Sequence, residues 1–340
     1  MGLETQEWLE VVRREYLEDF IRGGGAAVKF VVPADATSRL EVRDGLRRVA
    51  EGAGFQFTFV DAVATKLHLI DKLFHDVARQ VDWYALARAF LTRRLPEMGY
   101  RLPAEPEAFT LDTIAAVNDF DTPFFLTEVK RGLWQQLSHE YAMSREFRMA
   151  MFRLCLAQLD PSDDPTLREA VLQWLHGELR LISAVKRALI FQRIARHNAR
   201  HMLFSLAHWT RLAGKSGLVL GLDITRYADA TRPAERGSGL YYSTTAVIDA
   251  YEVLRQLIDA TDELAFCFAG ILASPEFLTD DRRGLQRYQA LYLRISDEVR
   301  DHYRPNPRSS LVRLAATAPA VPSSGFRVSG SELEHADGDT

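Results

Sequence analysis

The stretch from Val28 to Val60, VKFVVPADATSRLEVRDGLRRVAEGAGFQFTFV, decides the fold class. Val28 to Val32 is an apolar, β-branched run that Pro33 stops, which predicts a strand. Ser38 and Glu41 form the Ser-x-x-Glu of a capping box, so a helix is expected from about Arg39 to Glu51, with Gly52 and Gly54 ending it. Phe55 to Val60 (FQFTFV) is a second strand, with Asp61 at its C-terminal end. Strand, helix and strand in so short a span make a βαβ unit. Such a unit implies a parallel sheet, with ligands expected beyond the C-terminal ends of its strands.

Working outward, residues 4–21 place Trp8, Val11, Val12, Tyr16 and Phe20 at helical spacing before Gly23, Gly24 and Gly25 end the run. From 66 to 212 the pattern is helical with almost no strand signal. It is interrupted by loops at Pro103 to Pro106 and Pro161 to Pro165, where Asp163 or Asp164 is placed to cap the next helix. The sheet resumes with LVLGLDI (218–224), followed by a helix at 244–259 and a strand at 264–272. Strands at 28–32, 55–60, 218–223 and 265–271 are therefore expected to lie parallel in one sheet. The expected organisation is an α/β core (1–65 and 213–314) split by a helical insertion (66–212), then a disordered Ala/Pro/Ser/Gly-rich tail (315–340).

Composition narrows the function classes. With 340 residues, 47% hydrophobic and 26% charged, wholesale disorder is excluded. The formal charge of −4 means that any attraction to nucleic acid must come from a local patch. Cys155 and Cys267 both lie in apolar runs, which leaves no disulfide framework and no cysteine zinc site. There is no secretory signal and no apolar stretch near the ~20 residues that span a bilayer, so a cytoplasmic location is expected.

Several signals bear on chemistry. Ala213 to Gly217 (AGKSG) contains the Gly-Lys-Ser of a phosphate-binding loop. However, Trp209 stands where that motif needs its first glycine, and the segment closes a helix rather than opening one; it reads as a turn. The proper place for such a loop lies after Val32, where the residues are PADATSRLE, with no glycine and no lysine. Asp35, Thr37, Ser38 and Arg39 are the candidate nucleotide contacts there, since Arg39 with its hydroxyl neighbours could meet a phosphate at a helix N-terminus; the alternative is a well-capped helix. Asp223, ending LVLGLD, matches the magnesium-holding strand of P-loop NTPases, although Ile224 replaces the adjacent acid; the alternative is a buried strand with an acidic turn residue. No acidic residue occurs between Glu178 and Asp223. If that segment is helical, Arg193, Arg196 and Arg200 share one stripe, and His197, His201, Phe204 and His208 a neighbouring one. The ridge reads as a nucleic-acid contact, a solvated face, or a seam paired with acids such as Asp71, Asp76 and Asp82. His197 and His201 also have the spacing of a zinc helix, but Asn198 stands where the glutamate would be.

Taken together, the chain resembles the BREX-system (bacteriophage exclusion) ATP-binding proteins, a P-loop, AAA+-like group of bacterial defence islands. The resemblance covers roughly residues 10–314. It is carried by REYLEDFIRGGGAAVKFVV, HNARHMLFSLAHWTRLAGKSGLVLGLDITR, YYSTTAVIDAYEVLRQLID and FAGILASPEFLTD. It implies a P-loop NTPase-like parallel sheet with a sensor-1 strand at the last segment, and a small helical lid reached near Arg294, a further candidate nucleotide contact. It also implies ATP with magnesium at Asp223, and partnership with other defence-system proteins, including an active ATPase, in an oligomer. The departures at PADATSRLE (a degenerate Walker A) and at Ile224 fall on hydrolysis and not on the fold. The expectation is accordingly a degenerate member acting as scaffold or assembly partner. The alternatives are an atypical active ATPase using Arg39 and Asp223, or a nucleic-acid-binding module using the 180–215 segment.

Overall fold

A computed structural model describes residues 3–105, 109–160, 164–231, 239–296 and 306–316. Helix α1 (Thr5–Val11) leads through a π-helical stretch (Val12–Ile21) into β1 (Ala26–Val32), α2 (Ala36–Gly52) and β2 (Gln56–Asp61). A helical series follows: α3 (Ile70–Arg79), α4 (Trp83–Glu97), α5 (Leu111–Val117), α6 (Thr122–Ser138), α7 (Arg145–Leu159), α8 (Pro165–His176) and α9 (Ala199–Leu212). Then come β3 (Leu218–Asp223), α10 (Thr244–Asp259), β4 (Cys267–Leu272), the single turn α11 (Glu276–Thr279), α12 (Gln289–Ile295) and β5 (Leu311–Arg313).

The four expected strands pair in parallel within one sheet, ordered β2-β3-β4-β1-β5, with the short β5 added at the edge. Every residue of β3 and β4 is buried, as expected for central parallel strands covered on both faces. Side chains alternate across the sheet. Val31, Val219, Phe268 and Leu272 face the apolar cluster built by α1, the π-helical stretch and α2. Phe30, Leu220, Leu222, Ala269 and Ile271 face the larger cluster, which contains α10 and the helices of 70–212.

Three local readings are corrected. α2 begins three residues earlier than the capping box implied, because Asp35 is its N-cap and accepts from the Ser38 amide at 2.7 Å. Ser38, with its side chain fully buried, donates its hydroxyl to the same carboxylate oxygen at 2.8 Å. In the N-terminal helix, the wider π turn moves burial from Tyr16 and Phe20 to Leu17 and Ile21, leaving Phe20 half-exposed. The third concerns the basic ridge. Residues 190–198 form an irregular segment, and α9 starts only at Ala199, so Arg193 and Arg196 share no helix with Arg200. The AGKSG segment is a turn, with Gly214 and Gly217 at positive φ between α9 and β3. The tail expected over 315–340 lies, from residue 317, outside the described residues.

Candidate functional site

The strand order sets the place. From β1 the chain crosses through α2 to the far edge at β2 and returns through β3 and β4 to β1's side. β5 then adds beyond β1. Where successive connections leave in opposite directions, the strand C-termini splay and open a crevice, the usual ligand position in open α/β sheets. A cleft of about 210 Å³ lies there, lined by Asp35, Ala36, Arg39, Thr225 and the Ala273–Pro275 turn after β4.

Four of the expected site residues, Asp35, Ser38, Arg39 and Asp223, lie in or beneath it. Asp35 lies at the mouth as the α2 cap. Arg39, on the first turn of α2, points across the cleft and donates Nη1 to Thr225 Oγ1 at 2.7 Å, with Asp223 Oδ2 at 3.8 Å. Asp223 ends β3 and is buried. Its Oδ1 accepts from both the Thr225 amide (2.9 Å) and the Thr225 hydroxyl (2.6 Å). Thr37 is exposed beside the cleft and Ser38 is buried under it. Arg294 lies elsewhere. It reaches Asp259, the last residue of α10, with Nη2 at 2.9 Å from Oδ2. Since α10 runs back from the C-terminal to the N-terminal edge of the sheet, its end is at the opposite edge from the cleft. The sequence reading missed Thr225 and Ser274. Thr225 had a signal in Asp-x-Thr, where a hydroxyl two residues after an aspartate closes a local turn.

The electrostatics of the two carboxylates are opposed. Burial pushes Asp223 above the ordinary carboxylate range, partly offset by the Thr225 donors, while Asp61, its register partner on β2, pushes it the same way as burial. Asp35 is held below that range by the Ser38 amide and hydroxyl, so it is a committed anion. Ile224, at the place of the missing acid, is buried, and its amide is spent on Leu272 O at 2.8 Å. Between the ordinary value of 3.8 and its raised folded value, Asp223 holds a proton in the folded chain that the unfolded chain releases. Its contribution to stability therefore falls as pH rises through that window, and its charge is a cost at neutral pH. Asp223→Asn keeps an acceptor for Thr225 and forfeits only a long contact to the half-exposed Arg39. We expect it to stabilise the fold at pH 7 by about 1 kcal/mol, or about 1–2 °C in melting temperature, and not below pH ~4. Thermal melts across pH check this, and a variant destabilised at pH 7 contradicts it.

A magnesium–triphosphate group fits these residues poorly. The amide at the third position of α2, which would face a phosphate, is taken by the Asp35 carboxylate. No lysine or glycine lies among the lining residues. Oδ1 of Asp223 is taken by the Thr225 hydroxyl and amide, and the Arg39 guanidinium stands 3.8 Å from Oδ2. Among the described residues no group of three or more His, Cys, Asp or Glu side chains is gathered as for a metal ion.

The ridge residues behave as separate groups. Arg193 donates to the carbonyl of Arg180, Arg196 and Arg200 are exposed, and His208 lies 3.0 Å from Glu140 in the connection between α6 and α7. Asp71, Asp76 and Asp82 do not pair with Arg193, Arg196 or Arg200: Asp71 meets Lys72, Asp76 meets Arg79 and Thr65, and Asp82 caps α4. No helix among the described residues is long and apolar enough to cross a membrane. Neither the curated proteins nor the solved structures contain a match to this sequence. A family model does match. It covers residues 109–320, which include β3, Asp223 and β4 but not β1 or the N-terminus of α2, and it describes BREX system ATP-binding protein BrxC/D. The match spans more than half of the sequence, and the chain belongs to that family.

Proposed function

We propose that this chain is a non-hydrolysing member of its family, with a P-loop-like sheet, that serves a BREX anti-phage system as a scaffold or assembly partner. The single observation that carries the reading is that the polar groups of the cleft are already paired with one another. Asp35 fills the phosphate position of α2, and the Arg39–Thr225–Asp223 chain occupies the side where metal and water would act. The parallel sheet and the crevice at its reversal point support a P-loop-like ancestry. Phosphoryl transfer relies on positioning and on offsetting charge at the phosphates, and the cleft offers Arg39 as its lining cation. Ile224 follows Asp223 where the resemblance implies an acid that orients water, so that position of the sequence offers no base. Partnership with an active ATPase of the system supplies turnover in this reading.

The test is ATP turnover by the purified chain with magnesium, alone and with the system's other proteins. The expected result is a rate at background for the chain alone, unchanged in Asp223→Ala. Turnover of about one per second, the low end of the usual enzyme range, lost in Asp223→Ala, overturns the proposal in favour of an atypical ATPase.

A further inference from the structure

Independently of the cleft, the loop between α8 and α9 presents an unusual surface. Leu181, Leu189 and Phe191 are 69%, 40% and 48% exposed, three large apolar side chains within eleven residues. Arg180, Lys186 and Arg193 are exposed among them, and Arg196 and Arg200 continue the basic surface. Arg145 of α7 places its guanidinium 5.8 Å from the centre of the Phe191 ring. The sequence carries no acidic residue from 179 to 222 to balance these charges; Arg187 is paired at 2.6 Å with Asp164 from the start of α8.

This surface is rigidly built. Val185, Ala188, Ile190 and Ile194 are buried beneath it. Trp174 donates Nε1 to the Gln192 carbonyl at 2.8 Å, and Asn198 ties down both Ala195 N (2.8 Å) and Arg193 O (3.0 Å). Leu189 has φ of 59°, a conformation leucine rarely adopts, and its side chain stays exposed. Anchored apolar side chains interspersed with exposed arginines and a lysine combine the apolar and charged elements of a protein interface, and their tied-down backbone lowers the ordering cost of binding.

We propose that this loop, with Arg145 and Arg200 at its borders, is the docking surface for another protein of the same defence system, one presenting carboxylates around an apolar pocket. The charge sets the sign of the partner. The apolar pattern sets its class, because two of the three exposed side chains are leucines, which offer no π face for a nucleobase, and the ring of the third, Phe191, is already faced by Arg145. The irregular backbone also removes the regular helical ridge on which a nucleic-acid reading rested.

Binding of the immobilised full chain to each purified protein component of its system, one at a time, tests this by interferometry, with a single-stranded and a duplex oligonucleotide as parallel probes. One component is expected to bind. The double change Leu181→Asp and Phe191→Asp should weaken it by at least about thirtyfold, mostly through faster dissociation. Arg180→Glu with Lys186→Glu should instead slow association and reduce its salt dependence. All four side chains are exposed, so the melting temperatures should stay at the wild-type value, which separates lost docking from lost folding. Three results overturn the proposal: no component binds wild type, a component binds the double variant as tightly as wild type, or the variants lose only oligonucleotide binding.

Discussion

Gly217→Val should destabilise the chain by about 4 kcal/mol, the sum of a strained backbone and a broken ladder bond. Gly217 has φ of +146°, and a Cβ there would stand 2.3 Å from the Phe266 carbonyl oxygen and 3.0 Å from the Phe55 ring. Neither neighbour is free to yield. The Phe266 carbonyl accepts the Leu218 amide at 2.9 Å, the bond that starts the β3–β4 ladder, and the Gly217 carbonyl accepts Gln56 N at 2.9 Å, which starts β2–β3. One residue thus fixes the corner where three parallel strands begin. Gly52→Ala is the control. It lies at the end of α2 with nothing within 4 Å of a new Cβ, so it should leave stability unchanged or raise it by up to ~1 kcal/mol. Denaturant unfolding measures both. A Gly217→Val protein within about 1 kcal/mol of wild type would show that the corner can rearrange.

What could be read in the sequence follows from where the determining forces lie. The strands that ended up central carry their own signature: LVLGLD is apolar at nearly every position because both faces are covered, and β1 is stopped by a proline at its end. The order in which those strands associate has no local signature. It arises from crossover geometry and from packing α2 against one face and α10 against the other. β5 was missed because a three-residue strand is held by its partner, β1, and by little of its own propensity. The failure of the arginine stripe is a tertiary effect. No glycine or proline punctuates residues 178–212, so periodicity read the segment as helix. The break is made by Asn198, whose side chain closes a turn back to Arg193 and Ala195, and by Trp174, which takes the Gln192 carbonyl. The site was legible to the same extent. Asp223 and Arg39 were found because they sit at predictable strand and helix ends. Their connection through Thr225 was not, because it bridges residues 186 apart in sequence. The most telling case is Asp35, a candidate nucleotide contact by sequence and, by geometry, the cap that takes the third amide of α2.

On the proposed reading, in which Asp35 competes with a phosphate for the first turn of α2, Asp35→Gly should raise the affinity of the cleft for polyphosphate. In the wild-type chain the Asp35 carboxylate accepts the Ser38 amide at 2.7 Å, an anion already installed at the positive end of a seventeen-residue helix. A triphosphate entering the cleft must lose that amide and lie against a fixed like charge. At ~4 Å and an effective dielectric between 20 and 80, each such pair costs about 1–4 kcal/mol. Glycine removes the charge and frees the amide while remaining an acceptable N-cap, so the helix should lose only a few tenths of a kcal/mol. Asp35→Asn removes the charge but keeps the amide occupied, and separates the two effects. The expected order of affinity for ATP, measured by calorimetry without reference to turnover, is Gly above Asn above wild type. The span from first to last should be on the order of a hundredfold, since about 2.7 kcal/mol suffices for that ratio. Hydrolysis should stay at background in all three, because Ile224 and the engaged Asp223 are untouched. If wild type binds ATP as tightly as Asp35→Gly, then the carboxylate is not what closes the cleft, and the chain must meet the phosphates from the Arg39 side alone.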